Sequence, residues 1–567
     1  MTQKSGGAAG LVLFTLATAQ FLMTLDSSVM NVSIAQVAAD VGTTVTGIQT
    51  AITLYTLVMA SMMITGGKVG SLIGRRRAFA IGCVIYACGS FVTSIAQSLT
   101  VLIIGWSVLE GLGAALIMPA IVALVASNFA SKDRPRAYGL VASAGAIAVA
   151  AGPLIGGFVT TYWTWRYVFA GEVVLVIGIL ALTRKLADAA PEARFRLDYV
   201  GSVLSAAGLG LAVFGVLRSG EWGWVLTRPG GPSWLGLSPT IWLILAGMVV
   251  LRLFFSWENR MVAAGREPLV RPAMLRNARL AGGLTMFFFQ FMIQAGLFFV
   301  VPLFLSIALG LTALQTGVRL LPLSVSLLIA AVGIPRFFPT ASPREVVRWG
   351  LVSMLLGIVA LMGALEVGAG AEIVAVPLLL AGFGVGALSS QLGAITVSAV
   401  ADKDAGDVGG VQNTMTNLGA SLGTAVAGSI LIATLTSTLL VGLGSNPEVS
   451  AEVSETASVQ LASGVPFVSD VQLESALEEA GLPAEEVEAV VAENESARID
   501  ALRASLAVLA LIAALALYFS RLLPTAPVGS EPSGADGPVG ETPSEVEPVE
   551  PEHLVLDGKD LDAREPG

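Results

Sequence analysis

Three acidic residues, Asp26, Glu110 and Glu172, lie inside long apolar runs of the chain. A charge within hydrocarbon is costly unless it is hydrated, paired or protonated, so each of these acids needs an explanation. A carboxyl group that alternates between a desolvated and a paired or hydrated state can exchange a proton for a substrate. The three acids are therefore the first candidates for proton coupling or substrate binding. For Glu172 a structural role is an equal alternative, although a pair with Arg166 would have to reach across nearly two helical turns.

A second polar group lies in the ninth apolar run. Spacings of three and four place Gln290, Phe291 and Gln294 near one face of a helix. Such a face suits the wall of a cavity for an aromatic or cationic guest, and an aromatic-rich packing face is an equal alternative. Arg319, near the outer end of the next run, is a further cavity candidate, with harmless snorkelling to the interface as its alternative.

The composition identifies the kind of element that must position these residues. Of the 567 residues, 54% are hydrophobic and 13% are charged, and the mean hydropathy is +0.79. A water-soluble chain of this length needs far more polar surface, so the solvent of this protein is largely lipid. The net charge of −10 does not describe the membrane part, because 24 of the 41 acidic residues follow Asn446.

Fourteen apolar runs are long enough to cross about 30 Å of hydrocarbon as helices. We predict spans at residues 11–35, 48–68, 78–97, 100–127, 138–161, 167–184, 198–217, 238–257, 280–308, 313–333, 348–367, 373–400, 409–441 and 499–520. With the N-terminus inside, 25 of the 31 Lys and Arg residues fall on the cytoplasmic side. This asymmetry predicts that both termini are cytoplasmic.

Two polar segments lie outside these runs. Residues 442–498 contain a capping box at Ser469 and Gln472, a helix stop at Gly481, and a proline that opens a second helix. This pattern predicts an acidic helical hairpin outside the membrane, whose second helix continues into the last span. Residues 524–567 are rich in Pro, Gly, Glu and Asp, a composition typical of disorder.

Three motifs in the first half of the chain carry further information. The first, late in the first span, is Leu25-Asp26-Ser27-Ser28-Val29-Met30-Asn31-Val32. The second connects spans two and three and is Gly67-Lys68-Val69-Gly70-Ser71-Leu72-Ile73-Gly74-Arg75-Arg76-Arg77. The third, in span five, is Gly145 followed by Gly152-Pro153-Leu154-Ile155-Gly156-Gly157. Its small residues are spaced four apart and allow a neighbouring helix to approach closely, a spacing that also serves ordinary packing of membrane helices. Its proline can kink the helix.

Together, in this order, the motifs resemble the major facilitator superfamily, and more narrowly its fourteen-helix drug:proton antiporter family. The resemblance implies an all-α fold of two six-helix bundles with two inserted helices. Substrate would bind near the midplane between bundles that rock to expose it to alternate sides. The corresponding segments are 1–190 for the first bundle, 191–275 for the inserted helices, 276–441 with 499–523 for the second bundle, 442–498 for the hairpin and 524–567 for the tail.

The resemblance also implies roles for single residues. Asp26 matches the first-span aspartate of the family, and Asn31 belongs to the same motif. The motif from Gly145 to Gly157 is the one that the family associates with antiporters. In the loop motif the glycines Gly67 and Gly74 and the arginines Arg75, Arg76 and Arg77 would form a cytoplasmic anchor. Three positions differ from the family. Ser71 replaces the aspartate through which the loop latches the inward side in the family, Ser107 replaces a common arginine, and Glu110 replaces a glutamine.

These observations predict a proton-coupled secondary active exporter of small hydrophobic or cationic compounds, similar to multidrug efflux proteins. Alternatives are a narrow-specificity exporter of a lipid, an antibiotic or a metabolite, and a transporter-like receptor without net flux. We expect no enzyme activity, no cofactor, no metal and no nucleic acid partner, because the sequence shows no triad, metal-ligand cluster or nucleotide loop. The expected partners are the bilayer, protons and a small-molecule substrate. The expected state is a monomer in a bacterial inner (plasma) membrane.

Overall fold

The structure is a computed structural model and describes residues 6–129, 134–188, 197–228, 231–399, 405–460 and 467–525. The described residues are helical and contain no β-strand apart from one isolated bridge between Trp234 and Leu237. Fourteen helices are long and apolar enough to cross a membrane, which confirms the predicted number of spans. The predicted disordered tail lies almost entirely outside the described residues.

The first eight spans are built by ten helices. They are α1 (Gly6–Val32), α2 (Ile34–Asp40), α3 (Val45–Ile73), α4 (Arg75–Ser94), α5 (Leu99–Leu102), α6 (Gly111–Asn128), α7 (Arg134–Tyr162), α8 (Arg166–Thr183), α9 (Tyr199–Trp222) and α10 (Pro239–Ala263). A π-helical segment, Ile103–Glu110, joins α5 to α6, so that the three pieces form the single fourth span.

The remaining spans are built by α11 (Ala278–Leu303), α12 (Ala313–Phe337), α13 (Pro343–Ala364), α14 (Ala375–Ser398), α15 (Ala405–Ser445) and α18 (Ala484–Phe519). A second π-helical segment, Phe304–Ala308, extends α11. Two short helices, α16 (Ala451–Gln460) and α17 (Asp470–Glu479), lie between the last two spans. The capping box predicted at Ser469 and Gln472 forms at the start of α17, and Gly481 follows its end with a φ of +80°.

The connection between the second and third spans is shorter than the predicted residues 69–77. Residues up to Ile73 continue α3, the arginines begin α4, and the break consists of Gly74 alone, with a φ of +97°. The second span is therefore longer than the predicted 48–68. Within α3, Gly66 allows a close approach of α6, because a Cβ on Gly66 would come 2.2 Å from the Ala115 carbonyl oxygen.

Two pairs of helices join the bundles, and we call each contact a seam. In the α3–α15 seam, Gln49 donates to the Thr424 carbonyl at 3.2 Å and Ser421 donates to the Thr53 carbonyl at 3.0 Å. In the α7–α12 seam, a Cβ on Gly317 would lie 2.1 Å from the Pro153 carbonyl oxygen. At Gly317 the α7–α12 seam thus packs without a side chain between the helices, which is one way in which membrane helices gain close contact.

The inserted helices α9 and α10 pack against each other and against only one of these seams. The Ser429 hydroxyl on α15 donates to the Val216 carbonyl of α9 at 2.9 Å. On the other side of the seam, the Thr65 hydroxyl of α3 donates to the Ser202 hydroxyl of α9 at 3.1 Å. Helix α9 therefore contacts both bundles along the α3–α15 seam.

Candidate functional site: a cluster of buried carboxyl groups

The three acids singled out in the sequence meet inside the first bundle. Asp26 lies on α1, Glu110 at the end of the π-helical segment of the fourth span, and Glu172 on α8. Their side chains are buried, with relative exposures of 0%, 0% and 1%. One carboxylate oxygen from each lies within 4.8 Å of those from the other two. We call these three side chains the carboxyl cluster.

Each carboxyl group of the cluster accepts hydrogen bonds from neutral donors. Trp106 Nε1 donates to Asp26 Oδ1 at 2.8 Å, and Thr93 Oγ1 donates to Glu110 Oε1 at 3.0 Å. Glu172 Oε2 accepts from two donors of α4, the Tyr86 hydroxyl at 3.0 Å and the Ser90 hydroxyl at 3.2 Å. Among the described residues, no lysine, arginine or histidine pairs with these acids.

The second oxygen of each carboxyl group has no hydrogen-bond partner among the described residues. These atoms are Asp26 Oδ2, Glu110 Oε2 and Glu172 Oε1, and all three are buried. The buried Tyr55 hydroxyl interacts with Asp26, and the Tyr55 ring stacks on Trp106 with centroids 4.8 Å apart. A buried polar atom without a partner carries the cost of its lost hydration. These unpartnered atoms therefore indicate a site for a proton, a water molecule or a cation.

The backbone allows this close approach through glycine. A Cβ on Gly89 of α4 would lie 2.6 Å from Glu110 Cγ and 2.7 Å from its backbone nitrogen. A Cβ on Gly105 would lie 2.8 Å from the Thr93 backbone nitrogen. The π-helical segment carries both Trp106 and Glu110, and such segments occur often at functional sites.

Electrostatics limits the charge that the carboxyl cluster can hold. Like charges a few ångströms apart in a low-dielectric interior repel strongly, and desolvation further disfavours each anion. Groups this close share their protons as a set and do not titrate one by one. Arg166, which the sequence offered as a distant partner for Glu172, instead contacts Asp40 at 3.2 Å and the Ala96 carbonyl at 2.6 Å. Ser107 donates to the Ala51 carbonyl at 2.7 Å and adds no charge to the bundle.

Sequence reasoning missed the neutral donors of the cluster. Tyr86, Ser90 and Thr93 stand at positions i, i+4 and i+7, so they form one polar stripe on an apolar helix. That stripe is a signal which could have identified the wall of the cluster. Trp106 and Tyr55 carry no comparable signal, because an aromatic residue in an apolar run is ordinarily a packing residue.

The other predicted site residues lie elsewhere. The side-chain amide of Asn31 donates to the Ser27 carbonyl of its own helix at 2.8 Å. Gln290 is buried and donates to the Ser389 hydroxyl at 2.8 Å, while the side-chain oxygens of Gln290 and Gln294 are buried without a partner in the described structure. Phe291 is half-buried and Arg319 is exposed. None of these residues belongs to the carboxyl cluster.

The glycines of the span-five motif bring α7 against two helices. On one face, added Cβ atoms on Gly145, Gly152 and Gly156 would meet side chains of α1, the nearest being Ser28 Oγ, 2.4 Å from the Gly152 position. On the other face, a Cβ on Gly157 would lie 2.5 Å from the Ala313 carbonyl oxygen of α12. The helix continues through Pro153, whose carbonyl faces Gly317 of α12. The motif therefore joins the helix that carries Asp26 to the second bundle.

The arginines of the loop motif contact backbone and an acid. Arg75 donates to the Gly67 carbonyl at 3.0 Å, and the backbone nitrogen of Arg76 donates to Asp188 Oδ1 at 3.1 Å. Arg77 is exposed. Asp188 follows α8, so the start of α4 is tied to the end of the sixth span.

Two cavities lie at the ends of the helices. The larger measures about 230 Å³ and lies between α2, the π-helical end of α11 and residues 467–472. The smaller measures about 10 Å³ and is lined by Ile64, Gly67, Leu269 and Gly410 among others. Gln290, Phe291, Gln294 and Arg319 line neither of these two cavities.

The sequence profile of the Major Facilitator Superfamily matches residues 16–424. The chain belongs to the Major Facilitator Superfamily. Three similar relatives are named for transport, export or resistance. The "Probable actinorhodin transporter" of Streptomyces coelicolor is 30% identical over 74% of this chain and 71% of its own length. The "Tetracenomycin C resistance and export protein" of Streptomyces glaucescens is 29% identical over 74% and 75%. The "Multidrug resistance protein Stp" of Mycobacterium tuberculosis is 27% identical over 76% and 77%.

Solved structures of this superfamily share the fold. A bacterial homolog of the human lysosomal transporter Spinster, in an inward-facing and unoccupied conformation, has a TM-score of 0.56 at 13% identity. It covers 92% of this chain and 98% of its own. A peptide transporter POT in complex with sulfate has a TM-score of 0.54 at 15% identity, over 90% and 96% of the two chains. The predicted architecture of two six-helix bundles with two inserted helices is therefore confirmed for this multi-pass membrane protein.

Proposed function

We propose that the protein is a proton-coupled exporter that carries small hydrophobic or cationic compounds across a bacterial plasma membrane. The carboxyl cluster is the observation that carries the coupling part of this proposal, because three buried acids this close, with no cationic partner among the described residues, cannot all hold a negative charge at low cost. The names of the relatives support the export part. The excess of Lys and Arg on one side supports cytoplasmic termini.

The proton site and the substrate path are separate in this proposal. The donors Tyr86, Ser90 and Thr93 of α4 and Trp106 of the π-helical segment all lie in the first bundle. Substrate would bind between the bundles, where Gln290, Phe291 and Gln294 remain the predicted wall. Proton binding would therefore act on transport by changing how α1, α4 and α8 pack. Because α7 packs on α1 through the motif glycines, such a change would reach the α7–α12 seam.

The decisive experiment measures efflux of ethidium from proteoliposomes with an imposed pH gradient. Wild type is compared with Asp26→Asn and Glu110→Gln, and Glu221→Gln serves as the matched control, because this acid of the inserted helices pairs with Arg218 outside the cluster. We expect gradient-driven efflux in wild type and in the control, and its loss in both cluster variants.

Each other outcome changes the proposal in a defined way. Efflux that is retained without the gradient in wild type would contradict proton coupling. No efflux of any dye in a broad panel, from folded and oriented protein, would favour a narrow-specificity exporter of a lipid, an antibiotic or a metabolite. Binding without flux would favour a receptor.

A further inference from the structure

The connection between α10 and α11, residues 264–277, does not run over the surface as a simple loop. Leu269 and Val270 are 3% and 5% exposed. They belong to an apolar cluster whose members come from the inserted helices and from both bundles. These members are Phe254 of α10, Leu280 and Leu284 of α11, and Val408 and Val411 of α15, with Ile64 of α3 packed against them.

Polar contacts of Glu267 and Val270 hold this connection in place. Glu267 Oε1 lies 3.5 Å from Lys68 Nζ of the loop motif and 3.2 Å from Arg271 Nη2. The backbone nitrogen of Val270 donates to Glu258 Oε2 of α10 at 3.2 Å, and the Glu258 side chain is fully buried. One acid therefore ties the connection to the first bundle, and another fixes it to the inserted helices.

The connection packs against both bundles where they meet on the side of the loop motif. A Cβ on Gly410 of α15 would lie 3.8 Å from the Cα atom of Ile64 of α3. Around this contact, Leu269 and Val270 leave a cavity of only about 10 Å³, which holds at most about one water molecule. The end of the α3–α15 seam is thus covered by a third element that belongs to neither bundle.

We propose that residues 267–275 form a latch that closes the transport path on the side of the loop motif. This inference rests on the alternating-access transport proposed above. Opening on this side requires α3 and α15 to separate, which exposes Leu269 and Val270 and breaks the contact between Glu267 and Lys68. Glu267 is a positioning residue, since it holds the latch without contacting substrate. The two inserted helices thereby take part in gating, because α10 carries the latch and α9 packs along the same seam.

The test follows the accessibility of a cysteine in the latch. Leu269→Cys is placed in a chain in which Cys83 and Cys88, its two cysteines, are changed to alanine. The labelling rate of a membrane-impermeant maleimide is measured from the loop-motif side, with and without Glu267→Gln. Glu345→Gln is the matched control, an exposed acid at the start of α13. Glu267→Asp is the conservative variant.

We expect Glu267→Gln to raise the labelling rate roughly two- to fivefold, the factor appropriate to a half-exposed ion pair. Glu345→Gln should leave the labelling rate unchanged, and Glu267→Asp should label at about the rate of the protein with Glu267. A rate that does not respond to Glu267→Gln would overturn the latch, and so would an equal rise in the Glu345 variant. Labelling needs neither substrate nor gradient, so a failure of the proposed export function would appear in the efflux assay and not here.

In a second arm, Ile64→Cys is combined with Leu269→Cys in the same background, since both positions line the small cavity. Oxidation to a disulfide should stop ethidium efflux, and reduction should restore it. Full efflux in the oxidised protein would contradict a latch that must open in every cycle. The single variants under oxidation control for damage to the protein.

Discussion

The two bundles share one architecture but differ in the chemistry of their interiors. The first bundle buries three carboxyl groups that lie within 4.8 Å of one another. Among the described side chains of the second bundle, the buried polar groups inside the spans are uncharged, such as Gln290 and Asn417. Its buried charge, Arg498, lies near the end of the last span and pairs with Asp470 of α17. A repeated fold can therefore bury a group of acids in one half and uncharged polar groups in the spans of the other half.

The two seams differ in what covers them. Both contain side-chain hydrogen bonds: in the α7–α12 seam the Leu314 backbone nitrogen donates to the Thr161 hydroxyl at 2.9 Å, and in the α3–α15 seam Ser421 donates to the Thr53 carbonyl at 3.0 Å. The α3–α15 seam is in addition covered by α9, which hydrogen-bonds to both of its helices. In the α7–α12 seam, the backbone contacts at Gly157 and Gly317 leave no room for added atoms.

The largest effect is expected from a variant that removes the chemical difference between the bundles. The double variant Glu110→Gln/Glu172→Gln leaves Asp26 without its acidic neighbours. We expect gradient-driven efflux of ethidium to fall to the level of empty liposomes, because the shared proton site is gone. Substrate binding measured by dye fluorescence should persist, since the second bundle is unchanged. Gradient-driven efflux at the wild-type rate would show that the cluster has no part in coupling.

The second-largest effect is expected from a substitution in the α7–α12 seam. Gly317→Ala places a Cβ 2.1 Å from the Pro153 carbonyl oxygen, so the backbone must shift. Overpacking of this kind costs about 1–3 kcal/mol, and we expect a lower midpoint of thermal unfolding in detergent. Gly171→Ala is the control, because its Cβ meets nothing within 4 Å. Equal midpoints for the two variants would contradict the close approach of the seam helices.

A smaller effect comes from a single donor to the carboxyl cluster. Trp106→Phe keeps an aromatic ring against Tyr55 but removes the N–H that reaches Asp26. An ordinary intramolecular hydrogen bond contributes about 0.5–1.5 kcal/mol net, so we expect gradient-driven efflux to fall roughly two- to tenfold. Trp165→Phe removes an equivalent indole donor to Asp40, outside the cluster, and should leave coupling intact. If both variants lose efflux equally, the effect is structural.

The smallest effect is expected in the neutral bundle. Gln290→Leu removes the hydrogen bond to Ser389 and an unpartnered buried oxygen. We expect a change of a few-fold in the KM for ethidium with unchanged dependence on the pH gradient. A change in that gradient dependence would contradict the division of roles between the bundles. Gln391→Leu, on the neighbouring α14, is a control for loss of an amide from the same bundle.

Much of the fold could be predicted because each span is a local property of the chain. The fourteen apolar runs, the capping box at Ser469 and the helix that begins after Pro483 and continues into the last span follow from nearby residues alone. The helix α16 was not predicted. The connection between the second and third spans was predicted to be too long, because whether a glycine lies inside a membrane helix depends on what packs against it. That packing involves residues such as Ala115, which lies far along the chain from Gly66.

The sequence by itself determined that Asp26, Glu110 and Glu172 lie in lipid-spanning helices. Each acid therefore needs a functional or structural reason, because the cost of burying a charge follows from the residue type and the apolar run around it. Only the tertiary structure decided that the three form one cluster with neutral donors from α4 and the π-helical segment. It also decided that Glu267 contacts Lys68 of the loop motif. Such contacts depend on how helices pack across long stretches of chain, and neither hydropathy nor spacing encodes that packing.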